Sequence, residues 1–538
     1  MCTIHGFLPA TAKDSQERIH PDTPRPNIQN QEGWQLLTYN PTSSHEKQDC
    51  TLASPAQLCP GRKSTGRSRS SAWRTSLGTC SASGPRITQT TTWMNTSSAT
   101  SRGPSANWNL TSLNLHGCSR VPTDALVDLI EGLLGLTMLD LSGTQCNTQV
   151  LSAVGSTCRR LRELDISDCK KLSPASLFHL AYDPIASAFC CPALQTLEVD
   201  GMESSPRCDD LPWALAYLLL ALPNLIVLEN ETTTDAVCLI HDRDFSGAQV
   251  PPGFPTMEEV VKRWVSLHPS RSPSQLKLPL KKLLEVSESY LSVVLAVCPH
   301  LAKVTVNLEE SSVLARRLLP WGSLTSLSLD CNFRRLEELL PVTARLGTQL
   351  ETLSLDGFSL DDEVSLHVLL SHCPNLQIFS ASLYHLKKDS PGEEALAQVA
   401  SLPPFSFLQL QEFTLTFSDV FDAKDPPEAL GLTASLVSLL KGSPRLQIVM
   451  LIGLPFSLDR VFEEVLGPPG TTAVFLHLIE LSLIECKVSS STIHQILSLE
   501  NPLNSLDLDR CPDIYRKDYE ELLRRVSREG LEMRIEWK

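Results

Sequence analysis

Cys158–Ala181 reads CRRLRELDISDCKKLSPASLFHLA. Leu161, Leu164 and Ile166 stand at i, i+3 and i+5, and Cys169 follows three residues after Ile166. Apolar residues alternating over so short a run mark a half-buried strand. Pro174–Ala181 then has the composition of a short helix with Pro at its first position, where the missing N–H is harmless. One short strand and one short helix cannot bury an apolar face alone, so the unit needs neighbours of its own kind.

The sequence supplies them. Cores of the form L-x-x-L-x-L open at Leu110, Leu136, Leu161, Leu194, Leu225, Leu301, Leu324, Leu350, Leu376, Leu410, Leu446, Leu478 and Leu503. Leu284 and Val286 mark one more, with Lys281 in place of the first leucine. Leu225, Leu301, Leu376, Leu410 and Leu446 open degenerate copies. Most spacings are 21 to 36 residues, the period of leucine-rich units. The predicted fold is α/β: an open right-handed leucine-rich-repeat solenoid of about fourteen units, with a parallel β-sheet inside and helices outside. The spacing predicts return helices at Asp124–Leu134, Leu151–Ser156, Leu291–Val297, Val364–Ser371 and Leu436–Lys441. Pro192, Pro299, Pro374 and Pro444 follow the helices and launch the next strand.

Residues 1–106 show Ser, Thr, Arg, Pro and Gln without a sustained apolar period, and the expectation is a disordered tail. Residues 107–512 are read as the solenoid, interrupted by an insertion at 230–279. Within it, Thr256 and Glu259 form a capping-box pattern before a helix expected at Met257–His268. Residues 384–408 and 453–475 read as smaller excursions on one rim. Residues 513–538 read as a C-terminal cap. Its helix, Asp513–Arg528, should set Tyr519, Leu522, Leu523 and Val526 on one face, with Gly530 as a stop and a last strand in LEMRIEWK.

The net charge of −15 over 538 residues divides unevenly. Residues 1–106 hold 11 basic and 6 acidic side chains, and the remainder holds 35 basic and 55 acidic ones. An acidic solenoid opposes nucleic-acid binding, because the phosphate backbone demands the opposite sign. The most apolar stretch, Leu211–Leu228, is broken by Pro212, Pro223 and Asn224, so a buried helix running into a strand is expected rather than a membrane span. The N-terminal residues show no basic region followed by an apolar run. Seventeen cysteines without a CxxC pair read as free thiols in a reducing compartment, which implies the cytoplasm. Arg62, Lys63, Arg67, Arg69 and Arg74 offer a basic run of the kind used in nuclear import. Asn95, Asn109 and Asn230 open glycosylation sequons by letter only.

Cys158–Ala181 resembles the cysteine-containing leucine-rich repeat of the F-box/leucine-rich-repeat proteins, whose unit runs C-x-x-L-x-x-L-x-L-x-x-C and then a helix. Cys118, Cys169, Cys486 and Cys511 match the Cys three residues after the last strand apolar residue, and Asn332 stands there once. Thr144, Met202 and Phe358 replace it elsewhere, while Cys158, Cys298 and Cys373 match the helix-end Cys. The likeness covers about residues 109–538. It implies that these side chains pack under the turn and bond to loop backbone. It also implies a substrate receptor whose N-terminal three-helix module docks a Skp-type adaptor of a cullin ubiquitin ligase. Residues 1–106 lack the apolar period of that module; Trp34, Leu36 and Leu37 are its only trace.

Catalytic patterns are weak. His241–Asp244 spells a kinase-loop HDRD without a glycine-rich loop or DFG, Gly61–Thr65 lacks the spacing of a phosphate loop, and there is no GxSxG or HExxH. Cys190, Cys191, Cys208 and His241 lack metal-ligand spacing, so no metal or cofactor is expected. The solvent-facing positions between ladder residues are more informative. They read Asn114, Asp140, Asp165 and Glu198 mid-strand, and Asp200, Asp330, Asp356 and Asp509 just past the strand. The expectation is a non-enzymatic protein-interaction module, with Asp140, Asp165, Glu198, Asp200, Asp330 and Asp356 on the concave face receiving a basic segment of a protein partner. The expected setting is an F-box/leucine-rich-repeat adaptor in a ubiquitin ligase. The alternative is a scaffold or regulator of inhibitor or GTPase-regulating type. Neither involves nucleic acid or membrane.

Overall fold

The structure, a computed structural model, describes residues 110–538 apart from 203–209, 248, 269–275, 310–316, 361, 363, 387–391, 418–428 and 468–473. The tail expected at 1–106 lies outside the described residues.

Among the described residues one parallel sheet of fifteen strands runs in chain order from Ser112–Asn114 to Arg534–Glu536, each strand bonded to the next. This is an open leucine-rich-repeat solenoid. In Cys158–Ala181 the strand is Glu163–Asp165, and Leu161, Leu164, Ile166 and Cys169 are all buried beneath it. The helix is Pro174–Ala181, where Ser173 and Ser176 close a capping box ahead of Pro174. Leu113, Leu139, Leu164, Leu197 and Leu228 stand in register across five neighbouring strands and form one apolar ladder. Each fully buried leucine contributes roughly 1.5–3 kcal/mol, and only the next repeat supplies the cover.

Helices return the chain on the other face. Leu291–Val297 lies where the spacing predicts it. Thr148–Thr157 begins three residues early, because Asn147 accepts from the backbone N–H groups of Gln149 and Val150 and so caps it. Leu430–Gly442 is twice the length read from the sequence. Leu211–Ala221 is a helix buried in the stack, followed by the strand Val227–Glu229. Among the described residues no helix is long and apolar enough to cross a membrane.

Four readings are corrected. In the unit after the insertion, Leu280, Leu283 and Val286 are the inward residues and Leu284 is half-buried. Glu285 takes a left-handed φ of +54° and adds one residue to the strand, which moves the register by one. Asn332 is exposed, and Cys331 takes the buried place, because the strand Ser326–Arg335 carries its alternation past Leu329. Leu523 is 40% exposed, while Leu522 is buried and Tyr519 and Val526 pack partly against the core. The stretches 384–408 and 453–475, read as excursions, contain the helices Gly392–Ser401 and Leu458–Leu466 among their described residues. Between 230 and 279 the chain forms Thr233–Asp242, which the sequence reading missed, and Met257–Leu267, capped by Thr256 and Glu259.

A candidate partner-binding surface on the concave face

Strand alternation decides what the concave face presents. Asp140 lies between the inward Leu139 and Leu141, Asp165 between Leu164 and Ile166, and Glu198 between Leu197 and Val199. Pairing brings them into line: Asn114 opposes Asp140, Asp140 opposes Asp165, Asp165 opposes Glu198, and Glu198 opposes Glu229. Four carboxylates therefore stand on four successive strands, at a spacing of about 4.8 Å.

Local bonds hold the first two. Asp140 Oδ1 accepts from the Ser142 backbone N–H at 3.0 Å, and its Oδ2 accepts from Asn114 Nδ2 at 2.7 Å. Asp165 Oδ1 accepts from the Ser167 N–H at 2.9 Å. Burial holds the Glu198 carboxyl above the usual range, and the carboxylates of Asp165 and Glu229 add to it. Asp200, two residues on, is raised by burial and then by Glu229 and Asp165. Lys282 Nζ lies 2.5 Å from Glu229 Oε1 and closes the row at its far end.

The six residues expected to act together form two groups. Asp140, Asp165, Glu198 and Asp200 make the first. Asp330 and Asp356 oppose each other on Ser326–Arg335 and Thr352–Leu360 and make the second. Between them Lys282 and Lys303 stand in register. Two residues along the strand from Lys303 a hydroxyl row begins: Thr305, Ser328, Ser354, Ser380 and Thr414. Asp509, noted with them in the sequence, meets Arg510 at 3.2 Å. Glu229 and Lys282 were missed. Glu229 sits before Asn230, whose amide fills the last inward place of a degenerate repeat and donates to Val199 O at 2.8 Å. Counting three residues from Leu225 to Leu228 would have exposed it.

The cysteines match repeat positions. Cys169, Cys486 and Cys511 donate their thiols to the backbone oxygens of Leu141, Leu451 and Leu483, each within one residue of the end of the preceding strand, at 3.1, 3.3 and 2.8 Å. Cys146 is pushed far above the ordinary thiol range, first by its hydrogen bond to Cys169 and then by burial. Cys190 and Cys191 are buried, and burial pushes the Cys190 thiol up to about 11. Cys208 lies outside the described residues. His241 ends a helix beside Asp242, its Nδ1 at 2.8 Å from the carboxylate.

No protein-family model matches the chain, and no curated protein matches it. Among solved structures the chain is similar to one in the crystal structure of the yeast Rad7 and Elc1 complex, with 15% identity, 74% of this chain and 82% of that chain covered, and a TM-score of 0.41. It is similar to a Leptospira interrogans leucine-rich-repeat protein at 15% identity, covering 79% and 95% of the two chains, with a TM-score of 0.29. The chain in the TLR13–ssRNA13 complex gives 14% identity, coverage of 74% and 52%, and a TM-score of 0.30. These are distant likenesses of fold, and the functional reading rests on the residues of the concave face.

Proposed function

We propose that this protein is a non-enzymatic interaction module whose concave face receives a basic segment of a partner protein. The observation that supports this is the in-register row of Asp140, Asp165, Glu198 and Glu229, in which Lys282 meets only the last. Like charges directly opposite on neighbouring strands oppose sheet formation, so packing does not account for them. A partner that brings lysines or arginines relieves the repulsion and gains attraction that salt weakens. The finer reading is an F-box/leucine-rich-repeat adaptor of a ubiquitin ligase, acting in the cytoplasm or nucleus, with a scaffold or regulator unrelated to ubiquitin as the alternative. The repeat cysteines support the first. In the test, Asp140→Asn, Asp165→Asn and Glu198→Gln are combined, and proteins captured by the full chain are compared with and without the changes. A salt-sensitive partner lost with the triple variant is expected. Unchanged capture at low ionic strength would move the site, most simply to residues 230–279. Skp-type and cullin subunits among the captured proteins would separate the adaptor from the scaffold.

A further inference from the structure

Three central strands, Ser326–Arg335, Thr352–Leu360 and Ile378–Leu386, run nine or ten residues, while the other strands of the sheet run three to six. Their extra length is irregular. Pairing of the first with the second passes from Asp330–Asp356 to Arg334–Phe358, so residues 331–333 bulge. Pairing of the second with the third passes from Asp356–Ser382 to Phe358–Leu383, which leaves Gly357 over. Phe333 sits on the bulge with φ of +58°, a conformation that bulky side chains rarely adopt. It is 60% exposed, and its ring centroid lies 4.7 Å from that of Tyr384. The two rings come from strands separated by a third, so the pair bridges the strand between.

Part of the strain has a local account. The turn at Phe333 brings Arg334 to Glu288, which is fully buried, at 3.2 Å, and to Glu338 at 3.1 Å. Glycine or asparagine at 333 would make the same turn with less strain. Phenylalanine there instead sets a largely exposed ring beside Tyr384. Asp330 and Asp356 oppose each other on the same strands, both exposed. Tyr384 lies two residues past Ser382, the partner of Asp356. The rings thus stand about 7 Å along the strands from the carboxylates.

Ring faces and carboxylates both attract a cation. An arginine fits the span, because its flat guanidinium stacks on a ring while its N–H fork reaches a carboxylate. We infer that Phe333, Tyr384, Asp330 and Asp356 form a docking point for an arginine of the partner's basic segment. The inference rests on the concave face taking a basic segment, and it adds the residue type and a second anchor.

The probe is a fluorescein-labelled glycine–serine peptide bearing two arginines, with a lysine version alongside. Its anisotropy is followed against the full chain at low salt. Phe333→Leu with Tyr384→Leu keeps the net charge. It should weaken the arginine peptide roughly three- to tenfold and erase any preference over lysine. Phe333→Gly relieves the backbone strain, so weaker binding with an undiminished melting temperature excludes misfolding as the cause. Asp330→Asn with Asp356→Asn should weaken both peptides. Equal arginine affinity in wild type and both aromatic variants would overturn the inference. If binding is then lost only in the variant of Asp140, Asp165 and Glu198, the broader reading stands without this anchor. If no variant changes binding, both fall.

Discussion

Replacing Glu198 with Gln should stabilise the protein, because the acidic row opposes the fold that displays it. Carboxylates about 5 Å apart repel by about 0.8 kcal/mol in water, the appropriate medium for a half-exposed face. Glu198 has two such neighbours, Asp165 and Glu229. At physiological salt the Debye length of about 8 Å roughly halves each repulsion, and the two sum to about 0.8 kcal/mol. Lys282, bound to Glu229, offsets part of this. The expected gain is therefore about 0.5 kcal/mol at physiological salt, rising to about 1 kcal/mol at ~0.01 M and vanishing near 1 M.

The pH dependence follows the same physics. The folded-state carboxyl of Glu198 titrates above its ordinary value of 4.5. The native state therefore binds its proton first as pH falls. Stability from this group is fully present below the ordinary glutamate value and is lost as pH rises through the raised one. The advantage of Gln should thus be full at neutral pH and disappear on acidification through that window. Urea unfolding followed by circular dichroism, at two salt concentrations and two pH values, reads all of this. A lowered urea midpoint at low salt, or an effect indifferent to salt, would show that the row is not a repulsive array.

Two further outcomes concern a repeat corner and the strand bulge. Cys169→Ala removes a buried thiol that bonds to Leu141 O at 3.1 Å and should cost on the order of 1–2 kcal/mol in urea unfolding. Rapid labelling of native Cys169 by a thiol reagent would contradict its placement. Gly357→Ala drives a Cβ into the backbone oxygen of Cys331 at a φ of +79°. The left-handed conformation alone costs about 1–2 kcal/mol, and the backbone atom it strikes cannot swing aside, so a loss above about 2 kcal/mol is expected. A loss under about 0.5 kcal/mol would mean that the bulge relaxes freely.

Much of the fold was legible because a solenoid repeats one local rule. Leu161, Leu164 and Ile166 announce a strand and its inward face without reference to any distant residue, and fourteen copies of the signal reinforce one another. Legibility failed where the rule bends. Glu285 and Phe333 adopt left-handed backbone, and no letter pattern marks a non-glycine residue that does so. Asn230 replaces an apolar ladder residue, which hid Glu229 beside it. Residues 384–408 and 453–475 read as excursions because Pro403, Pro404, Pro455, Pro468 and Pro469 punctuate them, yet their described residues include the helices Gly392–Ser401 and Leu458–Leu466.

The sequence by itself determined the repeat, its period, the apolar ladder and the sign of the charge on the face opposite that ladder. These depend on alternation within a strand, which is local. Only the tertiary structure decided which charges become neighbours. Asp165 and Glu198 are 33 positions apart in the chain and adjacent in the sheet, while Lys282 crosses the whole insertion to reach Glu229. The same holds for Phe333 and Tyr384, whose rings meet only because two bulges shift the register between three strands. Register is set by how each repeat closes on the one before it, and that closure sums the lengths of returns and bulges that the letters of a single repeat do not contain.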